Sequence, residues 1–223
     1  MPQLALDCIT SWHKYMPDWE YKLWNEDNFD INSSVPYVKE AYESGKLAFV
    51  SDYVRLYALL NYGGLYFDTD VMVFKSFDSL LSFDAFAGYE GSKLCPIGTC
   101  VIGSIPNGDW INEQISYYSD RFFRMQDGTL DLTTNVSFLT EKMIEKGLQC
   151  DGKEKDFNGL HIFPVDYFSP RQTTGEYLKT ANTFCDHMGM NSWGTGKKKP
   201  LILRIAGPKL SITLIKIKRR ILG

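Results

Sequence analysis

Two carboxylates stand two residues apart in an apolar run: Asp68 and Asp70 in "GGLYFDTDVMVF", residues 63–74. On a strand, residues i and i+2 share a face, so the pair projects together if the strand persists, or from its end if it fades. Neighbouring carboxylates in partly apolar surroundings repel, so one protonates or a cation sits between them. Hard oxygen donors suit Mg²⁺ or Mn²⁺. A strand-end pair facing water is the plain alternative. The flanking Gly-Gly-Leu-Tyr-Phe and Val-Met-Val-Phe favour the cation. Glycoside hydrolysis also uses two carboxylates, but they lie in unlike environments across a sugar, about 5–9.5 Å apart. Neighbours on one strand share an environment.

A second pair, Asp52 and Arg55, lies upstream at i, i+3, on one face of a helix. It fits either an intrahelical ion pair or a polar fork at a pocket wall. In the fork, the Asp accepts from sugar hydroxyls and the Arg donates to them or to phosphate.

The elements that must carry these residues alternate. "PQLALDCITSWHKY" places Leu4, Cys8 and Trp12 on one helical stripe, and "WEYKLWN" alternates like a strand. "VPYVKEAYESG" reads as a short helix stopped by Gly45, and "LAFVSDYVRLYALLNYGG" as a longer one ended by Gly63-Gly64. "LYFDTDVMVF" reads as one buried strand. A turn helix over Phe77–Leu81, a strand over Ala85–Tyr89, helices over Asp109–Arg124 and Thr134–Lys146, and a strand in "GLHIFPVDYFSP" complete the pattern. It predicts an α/β sandwich with a mostly parallel central sheet flanked by helices.

With 223 residues, 44% hydrophobic, the chain suits one domain with a sizeable core. No apolar run is long enough for a spanning helix, and "MPQLALDCIT" lacks the features of a secretory leader. The five cysteines fit no zinc spacing and read as reduced cytosolic thiols. The net charge of −3 hides an asymmetry. Residues 197–223 carry nine basic and no acidic side chains, leaving the rest with 15 basic against 27 acidic, or −12. The chain therefore divides into a body, 1–196, and a basic tail, 197–223. In the tail Leu210, Leu214, Ile217 and Ile221 form a helical stripe. It fits an interfacial helix on an anionic membrane surface or a terminal helix packed on the acidic body. Nucleic acid is a poor partner for so acidic a body.

The segment "SDYVRLYALLNYGGLYFDTDVMVFKSFDSLL" closely resembles the core of the family-32 retaining glycosyltransferases. These include bacterial capsular-polysaccharide and surface-glycan enzymes, fungal mannosyltransferases and clostridial glucosylating toxins. "SWHKYMPDWEYKLWNEDNFDI", "HIFPVDYFSP" and "HMGMNSW" are similar to further family segments, so the resemblance runs from about Leu4 to Trp193. It implies a Rossmann-like nucleotide-diphospho-sugar transferase fold of the GT-A type. The implied activity moves a sugar, with retention, from a nucleotide-diphosphate sugar to a hydroxyl of a glycan or lipid-linked glycan acceptor. Such an enzyme would serve surface or capsular polysaccharide synthesis, in the cytoplasm or at the inner face of the membrane.

Carried over by position, Asp70 is the implied direct ligand of Mn²⁺ or Mg²⁺, with Asp68 beside the metal and ribose. His187 and Ser192 complete the metal and phosphate shell, and Trp193 leans on the diphosphate. Asp52 and Arg55 grip the donor sugar. The segment from Cys185 to Gly196 reads as a lid. Family members also carry a nucleotide-holding strand before the first helix, where this chain has Met1-Pro2. The resemblance therefore implies an absent interior strand, with unpaired backbone at its place. A catalytically impaired sugar-nucleotide or glycan-binding remnant, and a metal-dependent nucleotide-sugar hydrolase, are the alternatives.

Overall fold

The computed structural model describes residues 1–91, 95–172 and 174–189, together with the strand backbone at 212–216. Helix α1 (Gln3–Tyr15) buries Ala5, Cys8, Ser11 and Trp12, close to the expected stripe. Strand β1 (Glu20–Trp24) and helices α2 (Pro36–Glu43) and α3 (Leu47–Tyr62) follow. Helix α3 stops at Gly63, whose φ of +64° a side chain rarely adopts. A Cβ there would also lie 2.5 Å from Pro106 Cδ, so the chain turns tightly into the sheet.

The remaining elements are β2 (Gly64–Phe67), β3 (Val71–Val73), a 3-10 turn (Asp78–Leu80), β4 (Ala85–Tyr89), β5 (Ile97–Ser104), α4 (Asp109–Ser116), α5 (Asn135–Glu145), β6 (Lys155–Phe157), β7 (Leu160–Phe163), α6 (Val165–Phe168), β8 (Cys185–His187) and β9 (Ile212–Lys216). Seven strands form one sheet in the order β1-β9-β2-β5-β4-β7-β6, and β3 pairs with β8 in a second. Strand alternation gives the large sheet two buried faces. On one, Tyr66, Ala87, Tyr89, Ile102 and Ile162 pack under residues of α2 to α5. On the other, Leu65, Phe67, Phe86, Val101 and Phe163 meet Trp12, Val71, Phe77, Phe168 and Phe184. The mixed α/β sandwich flanked by helices is as expected.

Several details differ from the expectation. The sheet is not mostly parallel: β4–β7 is the parallel pair, and the other neighbouring strands run antiparallel. Strands β6 and β7 are joined by Asn158-Gly159, both at positive φ, a hairpin turn. The strand expected through "LYFDTDVMVF" breaks at the carboxylates into β2 and β3, which enter different sheets. The helix expected to reach Arg124 ends at Ser116. Strand β5, buried along its whole length, was not anticipated. In the tail, residues 212–216 form a strand rather than an amphipathic helix. The run Ile-Thr-Leu-Ile is rich in β-branched residues, and its backbone pairs with β1 and β2. Strand β9 lies beside β2, with Phe67 opposite Thr213 and Leu65 opposite Ile215. No helix among the described residues is long and apolar enough to cross a membrane.

Candidate metal centre at the DXD turn

The carboxylates sit where the main sheet gives way to the small one. Asp68 directly follows β2, and its N–H donates to the Cys100 carbonyl of β5 at 2.9 Å. The chain then turns, with the Val71 N–H donating to the Asp68 carbonyl at 3.1 Å. Asp70 lies on this turn, and its carbonyl accepts from the Met188 N–H at 2.9 Å. Across the small sheet Val71 stands opposite His187. His187 Nε2 is 3.5 Å from Asp70 Oδ1.

Helix α1 holds β3 in place by side chains in lieu of a neighbouring strand. The Trp12 indole donates to the Val71 carbonyl at 2.7 Å, and the Ser11 hydroxyl accepts from the Val73 N–H at 2.9 Å. Both bonds are buried and span about sixty residues of sequence, from the first helix to the turn that carries Asp70.

The ligand atoms of Asp68, Asp70 and His187 all lie within 4.8 Å of one another. Two carboxylates and an imidazole at that spacing match the oxygen-rich donor sets of Mn²⁺ and Mg²⁺, so the residues fit the expected ion. Asp68 is 26% exposed at its side chain and Asp70 12%, leaving the group open on one side. Burial works against the charge on His187, but Cys100, the hydrogen bond to Asp70 and the Asp68 carboxylate outweigh it and raise its pKa. Ser192 and Trp193 lie outside the described residues, as does the lid segment beyond Gly189.

Asp52 and Arg55 stand behind the pair, buried to 0% and 2% exposure. Arg55 Nη1 donates to the Thr99 carbonyl at 2.6 Å and to the Thr99 hydroxyl at 2.9 Å, and Nε to the Ser51 carbonyl at 3.4 Å. Its Nη2 lies 2.9 Å from Asp52 Oδ1 and 3.5 Å from Asp68 Oδ1. The Nε and Nη1 groups thus hydrogen-bond to Ser51 and Thr99, while Nη2 forms ion pairs with the two carboxylates. The Tyr66 ring stacks beneath it at 4.6 Å, and the Tyr66 hydroxyl donates to Asp68. Burial lowers the charge preference of Arg55, yet Tyr66, Asp68 and Asp52 together raise its pKa, so it stays cationic.

Asp52 faces two ways. Its Oδ2 accepts from the Asn135 N–H at 3.0 Å, and the Asn135 amide returns a bond to the Asp52 carbonyl at 3.0 Å. This carboxylate therefore caps the first turn of α5 while holding Arg55, a structural task that spacing on one helix does not reveal. Burial pushes its carboxyl up to about 7, against the pull of Arg55 and the Asn135 N–H.

The structure brings Asp52, Arg55, Asp68, Asp70 and His187 together. It adds Tyr66, which contacts Arg55 and Asp68, Thr99, which accepts from Arg55, and Glu90 and Cys100, which adjoin His187. Of these, Tyr66 carried a signal in its place two residues before Asp68. Nothing local marked Thr99 and Cys100, which lie on β5, or Glu90, which follows β4.

Residues 2–87 match the model of the glycosyltransferase sugar-binding region containing the DXD motif. The chain is 33% identical over 96 residues to mannosyl phosphorylinositol ceramide synthase SUR1 of Saccharomyces cerevisiae. That alignment covers 40% of this chain and 24% of the yeast protein, so the chain spans about a quarter of that relative. No solved structure matches. The Asp68-Thr69-Asp70 turn is the DXD motif of the matched region. Residues 2–87 are thus similar to a glycosyltransferase sugar-binding region, and the mixed α/β fold with a central sheet flanked by helices is consistent with that likeness.

Proposed function

We propose that this chain is a divalent-metal-dependent retaining glycosyltransferase of the family-32 type, moving a hexose from a nucleotide-diphosphate sugar to a hydroxyl of a surface or capsular glycan. The observation that carries the reading is the convergence of Asp68, Asp70 and His187 within 4.8 Å at the DXD turn. Asp68, Asp70 and His187 would hold Mn²⁺ or Mg²⁺, which as a Lewis acid takes up charge on the departing diphosphate. Ser192 and Trp193 are assigned by resemblance to the phosphate side of the same site.

The protein's own part is to fix the carboxylates. Arg55 and the Tyr66 hydroxyl both engage Asp68 Oδ1, leaving its other oxygen outside these two contacts. Asp52 in turn fixes Arg55. A carboxylate held this way loses little freedom when donor arrives, which lowers the cost of reaching the reactive geometry. Asp52 and Arg55 thus serve the donor end from behind, through Asp68. The nine basic residues of 197–223 favour contact with an anionic membrane surface on the cytoplasmic side, where a lipid-linked acceptor would lie.

A panel of nucleotide sugars, read by released nucleotide and by labelled acceptor, tests the reading. A mannosyl nucleotide heads the panel because the yeast relative is a mannosyl phosphorylinositol ceramide synthase. Metal-dependent release with label on the acceptor is expected. Release with label only in free sugar would favour a hydrolase. Binding without release would favour an impaired remnant.

A further inference from the structure

His187 belongs to two ligand groups among the described residues. Besides Asp68 and Asp70, it lies with Glu90 and Cys100, the three ligand atoms again within 4.8 Å of one another. This second group differs in chemistry: one thiol, one imidazole and one carboxylate.

The fold makes room for it. Along β5, Gly98 and Cys100 alternate away from Thr99, which faces Arg55. A Cβ at Gly98 would lie 2.9 Å from Glu90 Oε2, so the glycine leaves the space in which the Glu90 carboxylate crosses β5 toward Cys100. Cys100 is 3% exposed and forms no disulfide. Its Sγ is 3.7 Å from the Ser169 hydroxyl, which can donate to a thiolate. Ligands backed by an outer hydrogen-bonding group are the usual build of a metal site.

We propose that Glu90, Cys100 and His187 form a site for a borderline-soft divalent cation, Zn²⁺ above all, adjoining the DXD pair and sharing His187 with it. Thiolate, imidazole and carboxylate are the donors zinc takes, and three protein ligands with a fourth place open is a common zinc arrangement. Mg²⁺ and Mn²⁺ favour oxygen donors and are poorly served by a thiolate. Binding displaces the Cys100 thiol proton to solvent as the metal–sulfur bond forms. Because one imidazole serves both groups, zinc draws His187 away from Asp70.

The test uses the full chain and two probes. Cd²⁺ reports thiolate ligation by its ultraviolet sulfur-to-metal charge-transfer band, and Zn²⁺ affinity is read by equilibrium dialysis. Wild type is expected to show the band and bind zinc. Cys100→Ser should lose the band, with zinc affinity falling by more than the about 10–100-fold that a change beyond the first ligands costs. Cys8→Ser, altering another of the buried thiols, should keep both. If Cys100→Ser is poorly folded by its apo melting curve, Glu90→Gln takes its place, with weaker zinc binding expected. An unchanged band and affinity in Cys100→Ser, or unchanged zinc affinity in Glu90→Gln, overturns the site. These readouts need no sugar transfer, so their failure leaves the reading of Asp68 and Asp70 standing, and the failure of that reading leaves these untouched.

Discussion

Arg55 Nη2 lies 2.9 Å from Asp52 and 3.5 Å from Asp68, so a single buried guanidinium ties helix α3 to the first carboxylate of the DXD turn. Arg55→Lys is the sharp test of that tie. A lysine keeps the charge but replaces the planar fork by a point charge. It would forfeit one or more charge-assisted hydrogen bonds, each about 1.5–3 kcal/mol. The expected outcome is a lower urea midpoint together with a strong fall in turnover. Near wild-type kinetics would mean that Asp68 does not depend on the fork.

Asp70→Asn should separate chemistry from folding. The substitution removes one of two neighbouring carboxylates but also weakens the contact with His187, and these effects oppose each other. The melting temperature should shift by only about 2–4 °C, the size of a change near 1 kcal/mol in a chain of this length. Metal-dependent nucleotide release should disappear, and chelator should do the same to wild type. Full activity in excess chelator would remove the metal from the proposal.

Trp12 ties the first helix to the DXD turn. Trp12→Phe removes the donor to the Val71 carbonyl and leaves that buried oxygen unpaired, at a cost of about 1–3 kcal/mol. Because Val71 adjoins Asp70 and pairs with His187, the variant should also weaken metal binding beyond its effect on stability. Calorimetric metal titration at a temperature where the variant is fully folded checks this. Equal affinity in both proteins would show that β3 holds its place without α1.

Asp131 supplies the pH test, since it belongs to neither ligand group. Burial works against its carboxylate, but Thr133 and Arg121 outweigh this and lower its pKa. Arg121 Nη2 lies 2.8 Å from it and stacks on Phe138 and Tyr37. A depressed carboxylate adds stability that is present above the unfolded value, near 3.9, and is lost as pH falls through the folded one. Asp131→Asn should therefore be less stable than wild type at neutral pH, with the gap closing below about pH 4. Urea titrations of both proteins across that range read it directly; a gap independent of pH would assign the loss to geometry.

Local pattern carried much of the architecture. The helical stripe of α1, the alternation of β1 and the apolar run of β2 are properties of neighbouring residues, legible without knowing the partners. The glycine stop after α3 is legible for the same reason, since a left-handed residue is a local demand. The chemistry of the DXD pair was also readable, because two carboxylates two residues apart in an apolar run need a cation or a proton wherever they lie.

Strand β5 escaped notice because Gly98 and Gly103 break its pattern. Both glycines answer to distant neighbours, Glu90 at one and Phe86 at the other. The break between β2 and β3 and the insertion of β9 between β1 and β2 likewise depend on which backbones meet. So does the double duty of Asp52, whose second partner is 83 residues away.

The sequence by itself determined the main helices, several buried strands and the pairing of two hard oxygen donors at Asp68 and Asp70, because these follow from residue type and short-range spacing. Only the tertiary structure decided that Arg55 is spent on holding Asp68 and that His187 arrives from β8 to stand between two ligand groups. Asp70 and His187, more than a hundred residues apart, meet because β3 pairs with β8, and which strands pair depends on the backbones that meet rather than on any local signal.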